Sequence, residues 1–84
     1  MRKSIVFTFR GTFGAPEMVT LQARTEENLR ALGLPKESGV QARLESDGRG
    51  VIEVTNVDVA IEEVVRKTVA AQITAAHDAV ITEE

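Results

Sequence analysis

The chain has 84 residues, with 10 Lys+Arg against 13 Asp+Glu and no Cys. This length predicts a single domain, residues 1–84, whose thin core leaves part of the stability to partner contacts. The lack of Cys excludes disulfides, thiolate zinc sites and thiol nucleophiles. The net charge of −3 excludes a bulk electrostatic attraction to nucleic acid. Apolar runs much shorter than a membrane span, and a first segment typical of a strand, predict a cytoplasmic protein.

The first predicted element is a strand in which Ile5, Phe7 and Phe9 alternate with other side chains. Two glycines and a proline within residues 11–16 then predict a turn. The Gly-Thr-Phe-Gly sequence in this turn lacks the Lys and the spacing of a phosphate-binding loop. A Gly-x-x-Gly loop clamps nucleic-acid backbones in KH-type domains, but there it joins two helices, so a plain turn is the favoured interpretation.

Residues 16–25 fit two interpretations, the second strand of a hairpin or the beginning of a helix that continues to Leu32. The helix is slightly favoured because Pro16 suits a first helical turn. Its apolar stripe would consist of Met18, Leu21, Thr25, Leu29 and Leu32. Gly33 suits the left-handed position after a helix, and Pro35 prevents continuation.

A hairpin follows. Alternation over residues 40–44 predicts a half-buried strand, and Asp47-Gly48 is a strong hairpin signal. The partner strand runs from Val51 to Val57, with Ile52 and Val54 directed to the core.

The remaining residues predict one long helix with Asp58 as its N-cap. Pairs four residues apart, Glu62 with Arg66 and Glu63 with Lys67, support it. Its apolar stripe contains Ile61, Val65, Val69, Ile73, Ala76 and Val80. A second stripe of small residues contains Ala60, Val64, Ala71, Ala75 and Ala79, and indicates that the helix is covered on two sides.

The pattern as a whole predicts an α+β fold. We expect two layers, with a small antiparallel sheet of three or four strands and the helices on one face, the last helix being long. Whether residues 16–25 form a strand decides between three strands and four.

Candidate chemistry is sparse. The single His77 lies in the predicted long helix without a partner of metal-ligand spacing, and the carboxylates are scattered in first helical turns. No catalytic residue, metal site or cofactor is therefore predicted. Several basic residues could share one sheet face, but no exposed aromatic residue accompanies them for base stacking. They are Arg2, Lys3, Arg10, Arg43 and Arg49.

Residues 40–80 resemble the small dimerisation subunit of the KEOPS complex. The order of strand, Asp-Gly hairpin, strand, Asp and long helix is similar. The helix pattern of the family is matched by Val65, Arg66, Thr68, Val69 and Ile73. The sequence departs from the family at Ala70, where the family has Asn. The resemblance implies a non-catalytic homodimer that binds a kinase-like ATPase. That ATPase makes threonylcarbamoyl-adenosine on tRNA, so the resemblance implies only an indirect contact of this chain with tRNA.

The leading interpretation is therefore an interaction or scaffold subunit that homodimerises and docks a partner protein through its long helix. The predicted partner-binding residues are Ala60, Val64, Arg66, Thr68, Ala71 and Ala75. The alternative is an RNA-binding or ribosome-associated α+β domain, since the region around Asp58 and Lys67 is also similar to ribosome hibernation factors. That alternative would use Arg10, Gly11, Gly14, Arg43 and Arg49. A small enzyme that uses carboxylates, or a phage or virion assembly component, is a further class of this size.

Overall fold

The computed structural model describes residues 1–11, 14–76 and 80–83. Its elements, in chain order, are β1 (Arg2–Arg10), α1 (Ala15–Ala31), β2 (Val40–Leu44), β3 (Gly50–Asp58), a 3-10 turn (Val59–Ile61), α2 (Glu62–Ala76) and β4 (Val80–Glu83). The strands form one sheet in the order β2-β3-β1-β4, and each neighbouring pair is antiparallel. Both helices pack on this sheet, which confirms the predicted two-layer α+β fold.

The core lies between the helices and the side chains that alternate along β1 and β3. Ile5, Phe7, Ile52 and Val54 are fully buried there, as the alternation predicted. Phe9 pairs across the strands with Gly50, and a Cβ on Gly50 would lie 2.4 Å from the Phe9 ring. Glycine at this position therefore makes room for the aromatic ring.

Residues 16–25 are helical, which confirms the favoured interpretation. Pro16 lies in the first turn of α1, and the Gly14 N–H donates to the Glu17 carboxylate at 2.7 Å. The helix ends in a Schellman motif, because Leu34 N–H donates to Leu29 O and Gly33 has φ +103°. The predicted stripe is buried except for Leu32, which caps the helix where the chain turns away and is 57% exposed.

The hairpin joins β2 and β3 as Asp47-Gly48 predicted. Further along β3, the register with β1 shifts between Lys3 and Ile5, where Ser4 lies opposite two residues of β3. One of these, Asn56, has φ +60°, a left-handed conformation that Asn tolerates better than most residues. This β-bulge was not predicted from the sequence.

The start of the last helix agrees with the prediction and its end does not. The Asp58 carboxylate accepts from Ala60 N–H at 2.9 Å, and Val65, Val69 and Ile73 are buried. However, α2 ends at Ala76, and the predicted continuation of the helix through Val80 is wrong.

Residues 80–83 form β4 and pair with β1. Pairing satisfies the backbone groups along an edge of β1 that a longer helix would leave open. Val80, Ile81 and Thr82 are consecutive β-branched residues, the sequence signal that favours a strand here. The sheet thus reaches four strands through its C-terminal segment and not through residues 16–25.

Candidate functional site

An exposed flank of α2 brings together four of the predicted partner-binding residues. Ala60, Val64, Ala71 and Ala75 are exposed, and Val64 retains 47% of its surface. At 3.6 residues per turn the helical members, Val64, Ala71 and Ala75, lie within about 40° of one another. These three form one strip beside the buried stripe, and Ala60 lies in the 3-10 turn just before α2. We call the four residues the alanine flank.

The other two predicted residues differ in their place on the helix. Thr68 follows Val64 by four residues, so it lies about 40° from it and borders the flank. Arg66 follows Val64 by two residues and so lies about 200° around the helix axis. Its Nε donates to the Glu62 carboxylate at 2.9 Å. That carboxylate also accepts from Lys3 Nζ at 3.0 Å, which joins α2 to β1. Thr68 is half-buried. Arg66 therefore belongs to an ion-pair network on the β1 side of α2.

These two ion-pair partners of Glu62 determine its ionisation. Their hydrogen bonds, first from Lys3 and then from Arg66, hold the pKa of the Glu62 carboxyl below its ordinary value of 4.5. Glu62 therefore stays ionised in the folded protein at neutral pH.

The sheet face opposite the helices collects three of the predicted nucleic-acid residues. The register puts Arg43 opposite Val51 and Val51 opposite Thr8, so Arg10 and Arg49 share this face with Arg43. The face also carries acidic groups.

Two of these arginines have carboxylate partners. Arg43 lies 3.0 Å from Glu45 and 3.7 Å from Glu53, and Arg49 lies 2.8 Å from Asp47. The Arg49 backbone N–H first, and then the charge of its side chain, lower the pKa of the Asp47 carboxyl. The charge available to a phosphate backbone on this face is correspondingly reduced.

The remaining basic and loop residues do not join these three arginines. Lys3 reaches Glu62 of α2, on the helix side of the sheet. Alternation along β1 places Arg2 on the same face as Arg10 but at the other end of the strand, where it donates to Asn56 O at the β-bulge. The predicted single basic face with all five residues is therefore not formed. Gly11 is exposed, Gly14 is the N-cap of α1, and the two residues between them lie outside the described residues.

A cleft of about 260 Å³ opens between the two helices, and sequence reasoning did not identify it. Its lining comes from the N-terminal half of α1 and the end of α2: Pro16, Glu17, Thr20, Leu21, Arg24, Gln72 and Ala75. We call it the interhelix cleft. Leu21 is buried and forms part of its apolar lining, whereas Glu17 and Arg24 are exposed and carry opposite charges.

The charged groups of the cleft stand apart from each other. Glu17 and Arg24 are seven residues apart, about 10 Å along the axis of α1. Within the described part of the chain, Arg24 forms no ion pair. Four other arginines do have a carboxylate partner: Arg30, Arg43, Arg49 and Arg66. The sequence does contain a signal for this site: Arg24 has no acidic residue four positions away on its helix.

The interhelix cleft holds one carboxylate, that of Glu17, among its described lining residues. Over residues 1–11, 14–76 and 80–83, no three His, Cys, Asp or Glu side chains are placed to hold a metal ion. His77 falls outside these ranges.

Comparisons with known proteins add no assignment. No family model matches the chain, and a search of curated proteins returns no relative. Among the described helices, none has the length and apolar character that crossing a membrane requires.

Proposed function

We propose that this protein is a non-catalytic interaction or scaffold subunit that homodimerises through the alanine flank of α2. The observation that carries the proposal is the apolar strip that the chain's own core leaves exposed, with Val64 47% accessible among three alanines. Small side chains allow a second backbone to approach closely, and apolar area removed from water supplies the driving force.

Size requires the interface to extend beyond these four residues. A standard interface buries ~800 Å² on each partner. The whole described surface is 4989 Å², so such an interface would cover about a sixth of it. The alanine flank would form its centre, and the neighbouring polar residues of α1 would form its rim.

A second copy of the chain is an occupant that the uncharged flank allows. Each copy carries a net charge of −3, so two copies repel each other at long range, and an uncharged contact adds no like-charge pair to that repulsion. The alanine flank contains no charged side chain. Next to it, Lys67 and Glu63 pair at 3.3 Å and neutralise each other locally. A two-fold axis through such a flank lets the same residues serve both copies.

The test is the mass of the protein in solution. We expect a wild-type dimer in light scattering after size exclusion, and a monomer for Val64→Asp or Ala71→Glu, with an unchanged circular dichroism spectrum. Val19→Asp is the matched control, because Val19 is 71% exposed on α1 and lies outside the flank. A monomeric wild type at high concentration, or a dimer that both flank variants preserve, would contradict the proposal.

The partner to test first comes from the resemblance of residues 40–80. The resemblance suggests a kinase-like ATPase of the KEOPS type as the partner, and with it a cytoplasmic role in tRNA modification. Three of the five matching positions, Val65, Val69 and Ile73, are buried in the core. The experiment therefore uses the exposed flank instead: a tagged wild-type chain should recover the ATPase in stoichiometric amount from its source lysate, and Ala71→Glu should not.

A further inference from the structure

The interhelix cleft has the features of a small-molecule site. Binding sites are concave, mostly apolar, and carry a few polar groups that fix orientation. The cleft volume of about 260 Å³ exceeds the ~150 Å³ that accommodates benzene in an engineered protein cavity. Its apolar lining lies between a carboxylate at one end, from Glu17, and a guanidinium at the other, from Arg24.

We propose that the interhelix cleft binds a small ω-amino acid, with the ligand carboxylate on Arg24, the ligand ammonium on Glu17, and the methylene chain between them. This inference does not require the proposed dimer.

The hydrogen-bonding state of the polar groups supports a ligand with two opposite charges. One Glu17 oxygen accepts the Gly14 N–H at 2.7 Å, which fixes the carboxylate and leaves its second oxygen available. The Arg24 fork suits a carboxylate in bidentate geometry. The Thr20 hydroxyl donates to Pro16 O at 3.2 Å, and its oxygen can also accept a hydrogen bond. A ligand with a single charge would leave one end of the cleft unmatched.

The two charged groups do not pair with each other, since Arg24 forms no ion pair within the described residues. Two helical turns, a rise of about 10 Å, separate the backbone positions of Glu17 and Arg24. We expect charges so placed to select a ligand by length as well as by sign. An extended chain of methylenes should reach both groups better than an α-amino acid, whose charges are adjacent.

The experiment is a titration of the ¹⁵N-labelled full chain with 6-aminohexanoate, followed by NMR. We expect saturable shifts confined to residues 16–24 and 72–75. Affinity should be in the millimolar range, about −4 kcal/mol on conversion, as suits a short ligand with exposed ion pairs. Hexanoate and hexylamine, which each lack one charge, should bind about threefold more weakly or worse.

Variants test the two ends separately. Arg24→Gln and Glu17→Gln should each weaken binding about threefold or more, and Glu17→Gln retains an acceptor for the Gly14 N–H. Arg43→Gln on the sheet should leave it unchanged. Shifts that stay linear, equal binding by hexanoate, or unchanged affinity in either cleft variant would overturn the proposal.

A second set of titrations, in a monomeric variant, separates the test of the ligand site from the test of the dimer. Ala75 belongs to both the alanine flank and the interhelix cleft, so a docked copy could cover the ligand site. The titration is therefore repeated in Val64→Asp, in which the dimer is disrupted. Binding must be retained there, and its loss in both backgrounds would reject the ligand site without affecting the dimer.

Discussion

The two helices lie on the same sheet but differ in how their remaining surfaces are used. α1 is tied to its surroundings by polar contacts: Gln22 accepts the Ala42 N–H of β2 at 2.8 Å, and Arg30 donates to the carbonyls of Pro35 and Ser38. Among the described residues, α2 is tied to the sheet through the ion pair of Glu62 with Lys3. Its alanine flank is exposed.

The difference shows where this small domain has surface available for a partner. Ala42 lies on the edge strand β2, and its N–H is directed away from the sheet. Because this N–H already donates to the Gln22 side chain, it is not available to pair with a strand of another chain. The polar contacts of α1 complete the fold, although α1 also carries exposed apolar side chains, among them Val19 at 71%. On α2 the exposed apolar side chains gather in the alanine flank, which has no side chain that can hydrogen-bond. The available surface is therefore a helix flank and not the β2 edge.

The largest expected effect separates the two sides of α2. Val69→Ala should lower the free energy of unfolding by about 2–3 kcal/mol, because Val69 is fully buried and its loss leaves a cavity. Val64→Ala makes the same chemical change on the alanine flank and should stay within about 0.5 kcal/mol of the wild type. Urea unfolding of the monomeric chain measures both. A similar loss in the two variants would show that Val64 belongs to the core.

The next effect concerns the ties of α1. Arg30→Ala should lower the free energy of unfolding by about 1–2 kcal/mol, because it leaves the half-buried carbonyls of Pro35 and Ser38 without their charged donor. Arg30→Lys should recover only part of this, since an ammonium lacks the planar fork. The control is Lys67→Ala, whose ion pair on α2 is largely exposed and should contribute less than about 0.5 kcal/mol. If Arg30→Ala and Lys67→Ala lower the free energy of unfolding equally in denaturant titrations, the polar contacts of α1 contribute no more to stability than the exposed ion pair of α2.

The third prediction is a substitution in α1 that should stabilise the fold. Thr25 is fully buried, and its hydroxyl has no hydrogen-bond partner among the described residues. Thr25→Val replaces this hydroxyl with a methyl group of similar size and should raise the free energy of unfolding by about 1 kcal/mol. Thr25→Ser keeps the hydroxyl, removes the methyl and should lower it. A Thr25→Val protein with a lower melting temperature would indicate a partner for the hydroxyl.

Local signals in the sequence predicted most of this fold. Gly33 with Pro35 located the end of α1, and Asp47-Gly48 located the hairpin, because each depends on neighbours along the chain. The pairing of β4 with β1 depends instead on which edge of the sheet is left open. The helical periodicity of residues 60–76 led us to predict a helix through Val80, and so hid this strand. The interhelix cleft arises from the distance between two helices, which no local pattern specifies. The composition of the alanine flank could be predicted from its spacing, but its occupant could not.

The smallest effect tests the tie between Glu62 of α2 and β1. The pKa of Glu62 is lowered in the folded protein, chiefly by the Lys3 hydrogen bond, so its ionised form stabilises the fold. That contribution is complete above its ordinary value of 4.5 and is lost as the pH falls through the lower, folded value. Glu62→Gln should therefore lower stability above pH 4.5 and flatten the acid side of the stability profile, with little effect once Glu62 is protonated in both the folded and the unfolded state.

A double-mutant cycle identifies the cause of this pH dependence. In a Lys3→Met background the effect of Glu62→Gln on the acid slope should shrink, because the first partner of the carboxylate is gone and Arg66 alone remains. The measurement is the free energy of unfolding in urea at a series of pH values below 6, at low salt. If the Glu62→Gln effect is the same with and without Lys3, the ion pair does not tie α2 to β1, and the buried side chains of α2 hold that helix on the sheet.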